Sequence, residues 1–209
     1  MKTERFTLKN IPLLLIGEPS RKVYLYVHGK NGSKEEALDF AELACPAGYQ
    51  VLALDLPEYG ERKNAPERLL PWVVLPELQF VYQYAKVHWR SVSLRATSIG
   101  AWLSMMALQD KELKQALFVS PVVDMEDLIT NMMQWAGVTE AQLQQAGEIP
   151  TTFGETLSWK YLCWVREHPL QWHTPTQVLY GEKDNLTSRA VLEQFKQRTG
   201  AHLTIMEEG

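Results

Sequence analysis

The run Val92-Ser93-Leu94-Arg95-Ala96-Thr97-Ser98-Ile99-Gly100 decides how the rest of this sequence is read. Its first five residues form an apolar stretch of strand character. A helix-like run from Ile99 to Asp110 follows directly. A strand that turns sharply into a helix over a serine puts that hydroxyl on a strained, exposed corner. The backbone N–H of Ile99 then points at whatever the hydroxyl attacks. That arrangement marks a nucleophile rather than a structural serine.

Outward from this corner, short apolar runs alternate with helical ones. Residues 5–8 and 12–17 read as two short antiparallel strands joined at Asn10. Residues 23–27 and 50–54 read as buried strands, rich in β-branched and aromatic residues or continuously apolar. Between them Ser33, with Glu36 three residues on, predicts a capping box and a helix that runs to Cys45. A long helix is predicted over 66–87, with kinks at Pro71 and Pro76. Further strands are predicted at 116–120, 177–181 and 203–206, and a helix at 188–198. This alternation predicts an α/β fold: a mainly parallel sheet covered by helices on both faces. Residues 124–172 break the pattern. They read as three helical pieces (125–136, 139–145 and 156–167) with no strand, a small helical cap inserted between two strands.

Length and composition narrow the field. The 209 residues predict one domain, with 45% apolar residues to build its core. A net charge of −4 leaves no electrostatic footprint for nucleic acid. No apolar run approaches the roughly 20 residues of a membrane span, and the N-terminus has no signal-peptide h-region. Cys45 and Cys163 are far apart and in no metal-like spacing, so they read as free thiols of a reducing cytoplasm. Five of the seven tryptophans follow Ser98. They read as packing residues, or as the lining of a wide apolar pocket. No cluster of histidines, cysteines or carboxylates at ligand spacing suggests a metal, and no phosphate-binding loop suggests a cofactor.

Three segments converge at the carboxyl ends of the strands, where ligands bind in such sheets. They are His28-Gly29-Lys30-Asn31-Gly32, the Ser98 corner, and Gly181-Glu182-Lys183-Asp184. Glycines in the first let the backbone approach a substrate and turn its N–H groups inward. The carboxylate in the third is placed to orient a histidine. With Asp55-Leu56-Pro57 and Gly60-Glu61-Arg62 between them, these motifs resemble the alpha/beta-hydrolase superfamily from about Val23 onward. Ala96 stands where that family has the first glycine of G-x-S-x-G, a small residue replacing a small residue.

The resemblance implies roles. Ser98 is the nucleophile, the amides of Lys30 and Ile99 form the oxyanion hole, and Asp184 is the triad acid, with Asp124 as its rival. His28 is a structural neighbour of the oxyanion loop, and Asp55 holds that loop or Arg62. Asp124 is better read as the cap of the helix from Met125, and Asp184 also reads as a turn residue. The base is the departure. The family places its histidine after the last strand, but His202 enters that strand at its amino end. A strand rises ~3.3 Å per residue, which puts His202 more than roughly 10 Å from the hydroxyl. The expectation is that the base and a closing helix lie beyond residue 209. His88 is expected at a helix end, and His168 and His173 at the surface.

The implied activity is a serine hydrolase that cleaves an ester, thioester or amide of a small-molecule acyl substrate through an acyl-enzyme, without metal or cofactor. An aminopeptidase or acylglycerol lipase of the same fold is the alternative within that class. A non-catalytic binding protein that keeps the fold is the alternative outside it. The sequence leaves the oligomeric state open.

Overall fold

The computed structural model describes residues 1–207. In chain order the elements are β1 (Thr3–Leu8), β2 (Ile11–Ile16), β3 (Lys22–Val27), α1 (Ala37–Ala44), β4 (Gln50–Leu54), α2 (Pro71–His88), β5 (Ser91–Thr97), α3 (Ile99–Leu108), β6 (Ala116–Val119), α4 (Met125–Ala136), α5 (Glu140–Ala146), β7 (Glu148–Pro150), β8 (Thr156–Ser158), α6 (Trp159–Glu167), β9 (Thr176–Gly181), α7 (Arg189–Thr199) and β10 (His202–Met206). The expected base and closing helix lie outside the described residues.

Eight strands form one sheet in the order β1-β2-β4-β3-β5-β6-β9-β10. The β1–β2 hairpin is antiparallel, and β2 is antiparallel to β4. Every pair from β4 through β10 is parallel. Val27 sits opposite both Leu54 and Ala96, Thr97 opposite Val119, and Val119 opposite Leu179. The carboxyl ends of the central strands therefore form one rim. The chain leaves β3 for β4 on one side, then crosses through α2 to β5 on the other. Such a reversal opens a crevice between the loops after β3 and β5.

The two faces are covered unequally. Val23, Leu25, Val27, Leu94, Ala96 and Phe118 join the large core beneath α2, α3, α7 and the cap. Tyr24, Tyr26, Val51 and Ala53 point the other way and join a small cluster with Ala37, Ala41 and Ala44 of α1. Beyond β3 the second face carries a groove lined by Phe40, Leu43, Leu117 and Leu179. There the Arg95 guanidinium lies 5.5 Å from the ring centre of Tyr26.

Three local expectations need correction. The Ser33 side chain makes no capping bond, and one 3-10 turn over Lys34–Glu36 precedes α1. The Lys34 amide is drawn instead to Asp55 Oδ1 at 2.8 Å, so a tertiary partner replaces the local box. Helix α2 begins at Pro71, not at 66, with that proline in its first turn. A proline lacks only an N–H that the first helical position leaves unpaired anyway, so Pro71 starts the helix rather than kinking it. The cap holds a strand pair as well as helices: β7 and β8 pair antiparallel, with Ile149 opposite Leu157. Strands of three residues are too short to show an alternating pattern. The helical part of the cap is otherwise as expected, with Asp124 accepting from the Asp127 amide at 3.0 Å to start α4.

Candidate active site

The loops of the rim are strained where the reversal occurs. Among the described residues five that are not glycine have positive φ: Lys9, Asn31, Glu58, Ser98 and Ser120. Lys9 sits in the β1–β2 turn. The other four follow the carboxyl ends of β3, β4, β5 and β6. A non-glycine residue in this region costs on the order of 1–3 kcal/mol and survives only where its surroundings over-determine it.

Ser98 has φ 51° and ψ −125°. Its backbone is pinned from the next strand: its amide donates to Val119 O at 3.1 Å, and its carbonyl accepts from Val122 N at 3.1 Å. Two glycines let the other loop press against it. A Cβ at Gly29 would lie 3.2 Å from Ser98 Cβ, and one at Gly100 would lie 2.2 Å from the His28 carbonyl oxygen. The second glycine of the motif is thus required by the backbone behind it. Ala96 is fully buried in β5, a place where a methyl group fits. Among the described residues the Ser98 hydroxyl has no hydrogen-bond partner. The Ile99 amide opens α3 and belongs to the helix amides that lack an intrahelical acceptor. No described residue accepts from the Lys30 amide either, and Ser98, Ile99 and Lys30 line one cavity.

Behind the loop of residues 28–32 lies a buried polar network. His28 Nε2 accepts from Leu56 N at 3.0 Å, which leaves Nδ1 to donate to Gly29 O at 2.7 Å. Burial pushes this imidazole below the ordinary value of 6.5. Both ring nitrogens are occupied, so His28 acts as a strut, as expected. Asp55 accepts from Lys34 N at 2.8 Å, Lys34 Nζ at 2.7 Å and Glu61 N at 3.0 Å. Lys34, absent from the sequence expectations, is 1% exposed and also reaches Glu61 at 2.6 Å. Burial works against its ammonium, but the Asp55 and Glu61 contacts outweigh this and hold its pKa above the ordinary lysine value. Arg62 turns its guanidinium to Glu77 at 2.7 and 2.8 Å. The Asp55 carboxylate therefore holds Lys34 and Glu61, and only its backbone carbonyl accepts from Arg62, at 3.4 Å.

Asp184 follows β9 at the same end of the sheet. Its Oδ1 accepts from Leu186 N at 2.9 Å and Thr187 N at 3.3 Å, the contacts of a turn residue. Asn185 and Leu186 line the cavity. Thr187 ties this loop to the one after β6 by donating to Pro121 O at 3.1 Å. His202 pairs with Gln177 and Met206 with Gly181. Four residues of strand, ~13 Å, separate His202 from the Asp184 end. Among the described residues no histidine lines the cavity. His88 ends α2, and His168 and His173 are exposed.

The cavity, of about 740 Å³, lies between the rim and the cap. An ion pair between Lys30 and Glu155 joins the loop after β3 to the turn between β7 and β8. Glu155 carries no motif, and only the fold brings it to Lys30. The tryptophans divide between the two readings: Trp102 and Trp172 are buried packing residues, while Trp135 lines the cavity and is half-exposed. Tyr161 packs at 6.1 Å against both Trp72 and Trp102. Its hydroxyl is sealed off without a partner among the described residues, and burial pushes its pKa up. Cys45 and Cys163 are free. Among the described residues no group of three or more His, Cys, Asp or Glu could hold a metal, and no helix is long and apolar enough to cross a membrane.

No protein-family model and no curated protein matches the sequence. Solved structures do. Est1E from Butyrivibrio proteoclasticus with bound ferulic acid superposes with a TM-score of 0.77 at 16% identity, over 97% of this chain and 88% of that one. Alpha/beta hydrolase domain-containing protein 10 from mouse gives 0.73 at 14% identity, over 100% and 90%. An esterase of Pyrococcus furiosus gives 0.61 at 16% identity, over 98% and 80%. With its mostly parallel eight-stranded sheet, its rim of strained loops and these likenesses, the chain has the alpha/beta-hydrolase fold.

Proposed function

We propose that this protein is a serine hydrolase that cleaves a carboxylic ester, or a thioester or amide, through an acyl-enzyme. The observation that carries the reading is Ser98: a non-glycine residue at φ 51° whose hydroxyl has no partner among the described residues and which lines a cavity with Lys30 and Ile99. In this reading Ser98 attacks the carbonyl carbon. The two amides hold the oxyanion in place of water, where losing one donor costs on the order of 3 kcal/mol of transition-state stabilisation. Asp184 orients the base, with its second carboxylate oxygen left for that bond. An esterase is the first choice, supported by the esterase and the ferulic-acid complex among the structural neighbours.

The reaction needs a proton acceptor beside Ser98. His28 has both nitrogens engaged, and His202 lies at the far end of β10. With neither histidine beside Ser98, turnover is expected to be slow. That same observation favours the second reading, a binding protein that keeps the fold. A fluorophosphonate probe applied to the full-length protein separates the two. Labelling that vanishes in Ser98→Ala supports the hydrolase, and an unlabelled wild type supports the binding protein.

A further inference from the structure

We infer that the cavity over Ser98 holds the acyl part of an uncharged ester, apolar and of medium length, and that Trp135 and Phe153 limit how long it can be. This rests on the hydrolase reading and carries it on to the substrate class. The acyl group stays on the serine after the leaving group departs, so the roofed side of the site must hold it while the open side serves the leaving group and water. The cap supplies that roof. Met125, Ile129 and Met132 of α4 and Leu157 of β8 line the cavity. Methionines fill irregular apolar space and adapt to what enters. A volume of about 740 Å³ suits a ligand well beyond an acetyl group.

The mouth carries the second observation. The fold leaves few large apolar side chains exposed, and three of them, Trp135 (53%), Phe153 (42%) and Leu186 (41%), border this cavity. The Trp135 and Phe153 rings meet edge to face at 6.1 Å, joining α4 to the β7–β8 turn. Exposed apolar surface gathered at one opening marks a binding surface.

Charge supplies the third. The cations on the lining are matched by neighbours: Lys30 by Glu155, and Arg68 by Glu58 at 3.8 Å. Glu148 also lines the cavity, but at its solvent-exposed edge, away from the methionines of α4. A charged acyl tail would be buried among methionine and leucine side chains without a counter-ion, which is strongly unfavourable. This sets an acyl chain that ends in a charge below a neutral one.

The test uses full-length protein and p-nitrophenyl esters from acetate to palmitate, together with the ω-ammonium counterpart of the hexanoate. kcat/KM is expected to climb by about fourfold per methylene until the cavity is full, then fall. The ω-ammonium ester is expected to run at least about 100-fold below the hexanoate. Trp135→Ala, or Phe153→Ala if the first fails to fold, should move the optimum to longer chains. A best rate on acetate, an unchanged optimum in the variant that folds, or equal rates for the charged and neutral hexanoates would overturn the inference. Such an outcome with Ser98 still labelled by the probe leaves the hydrolase reading standing. Absence of labelling removes that reading itself.

Discussion

The two walls of the site are built by opposite means. The wall after β3 and β4 is wired by buried polar groups: His28, Lys34 and Asp55 are each no more than 1% exposed and each is fully partnered. The cap wall is held by apolar packing and by ion pairs at the surface, Lys30 with Glu155 and Arg166 with Glu126 and Glu140. A buried network has few tolerable geometries, because each missing partner leaves an uncompensated charge or dipole. Apolar packing with exposed ion pairs tolerates many. The first wall suits the proposed hydrolase, whose groups must stay fixed against a reacting carbonyl. The second suits a surface that selects substrates and can vary.

The largest break in this contrast is Lys34→Met. It strands the Asp55 carboxylate in the interior and should lower stability by about 3–5 kcal/mol, read as the urea midpoint. Adding Asp55→Asn should recover part of that loss, and equal losses in the single and double variants would show that the charge pairing is unimportant. The Lys34 pKa is raised on folding, so its contribution is full below the ordinary value of 10.5 and fades as pH rises through the folded value.

Acid acts next on the same wall. The His28 pKa is lowered on folding, so the unfolded chain takes up a proton that the folded chain refuses. Stability should hold above the ordinary value of 6.5 and drop as pH falls from there toward the folded pKa. A His28→Gln variant should lose this slope, as thermal melts across the range would report.

On the cap side, Tyr161→Phe removes a sealed hydroxyl without a protein partner and should raise stability by about 1 kcal/mol, or roughly 2–4 °C in Tm. A lower Tm would mean that the hydroxyl is satisfied by bound water. Arg166→Ala should give the smallest change of the four. Its partners are half-exposed, so its effect should vanish at high salt, where surface pairs are screened.

The same division governs what could be read in advance. Strand β4 and helix α4 have the boundaries that their patterns predict, because a continuous apolar run and an N-cap aspartate are local signals. The Ser98 turn was legible for the same reason: strand, small residues and helix follow one another in sequence. Lys34 was not, because a lysine beside two glutamates reads as solvated until Asp55 arrives from 21 residues away. That same long-range partner undid the Ser33 capping box. The β7–β8 pair escaped because three residues carry no period. Glu155 escaped because its contact with Lys30 spans 125 residues.

The placement of β3 between β4 and β5 also orders events during synthesis. As the chain emerges, β3 can pair with β4 early, but its other edge stays open until Thr97 has been made and α2 has crossed over. Long-range parallel pairing of this kind is slow to close. The nascent protein therefore passes through an interval in which a strand destined for the middle of the sheet is half-zipped.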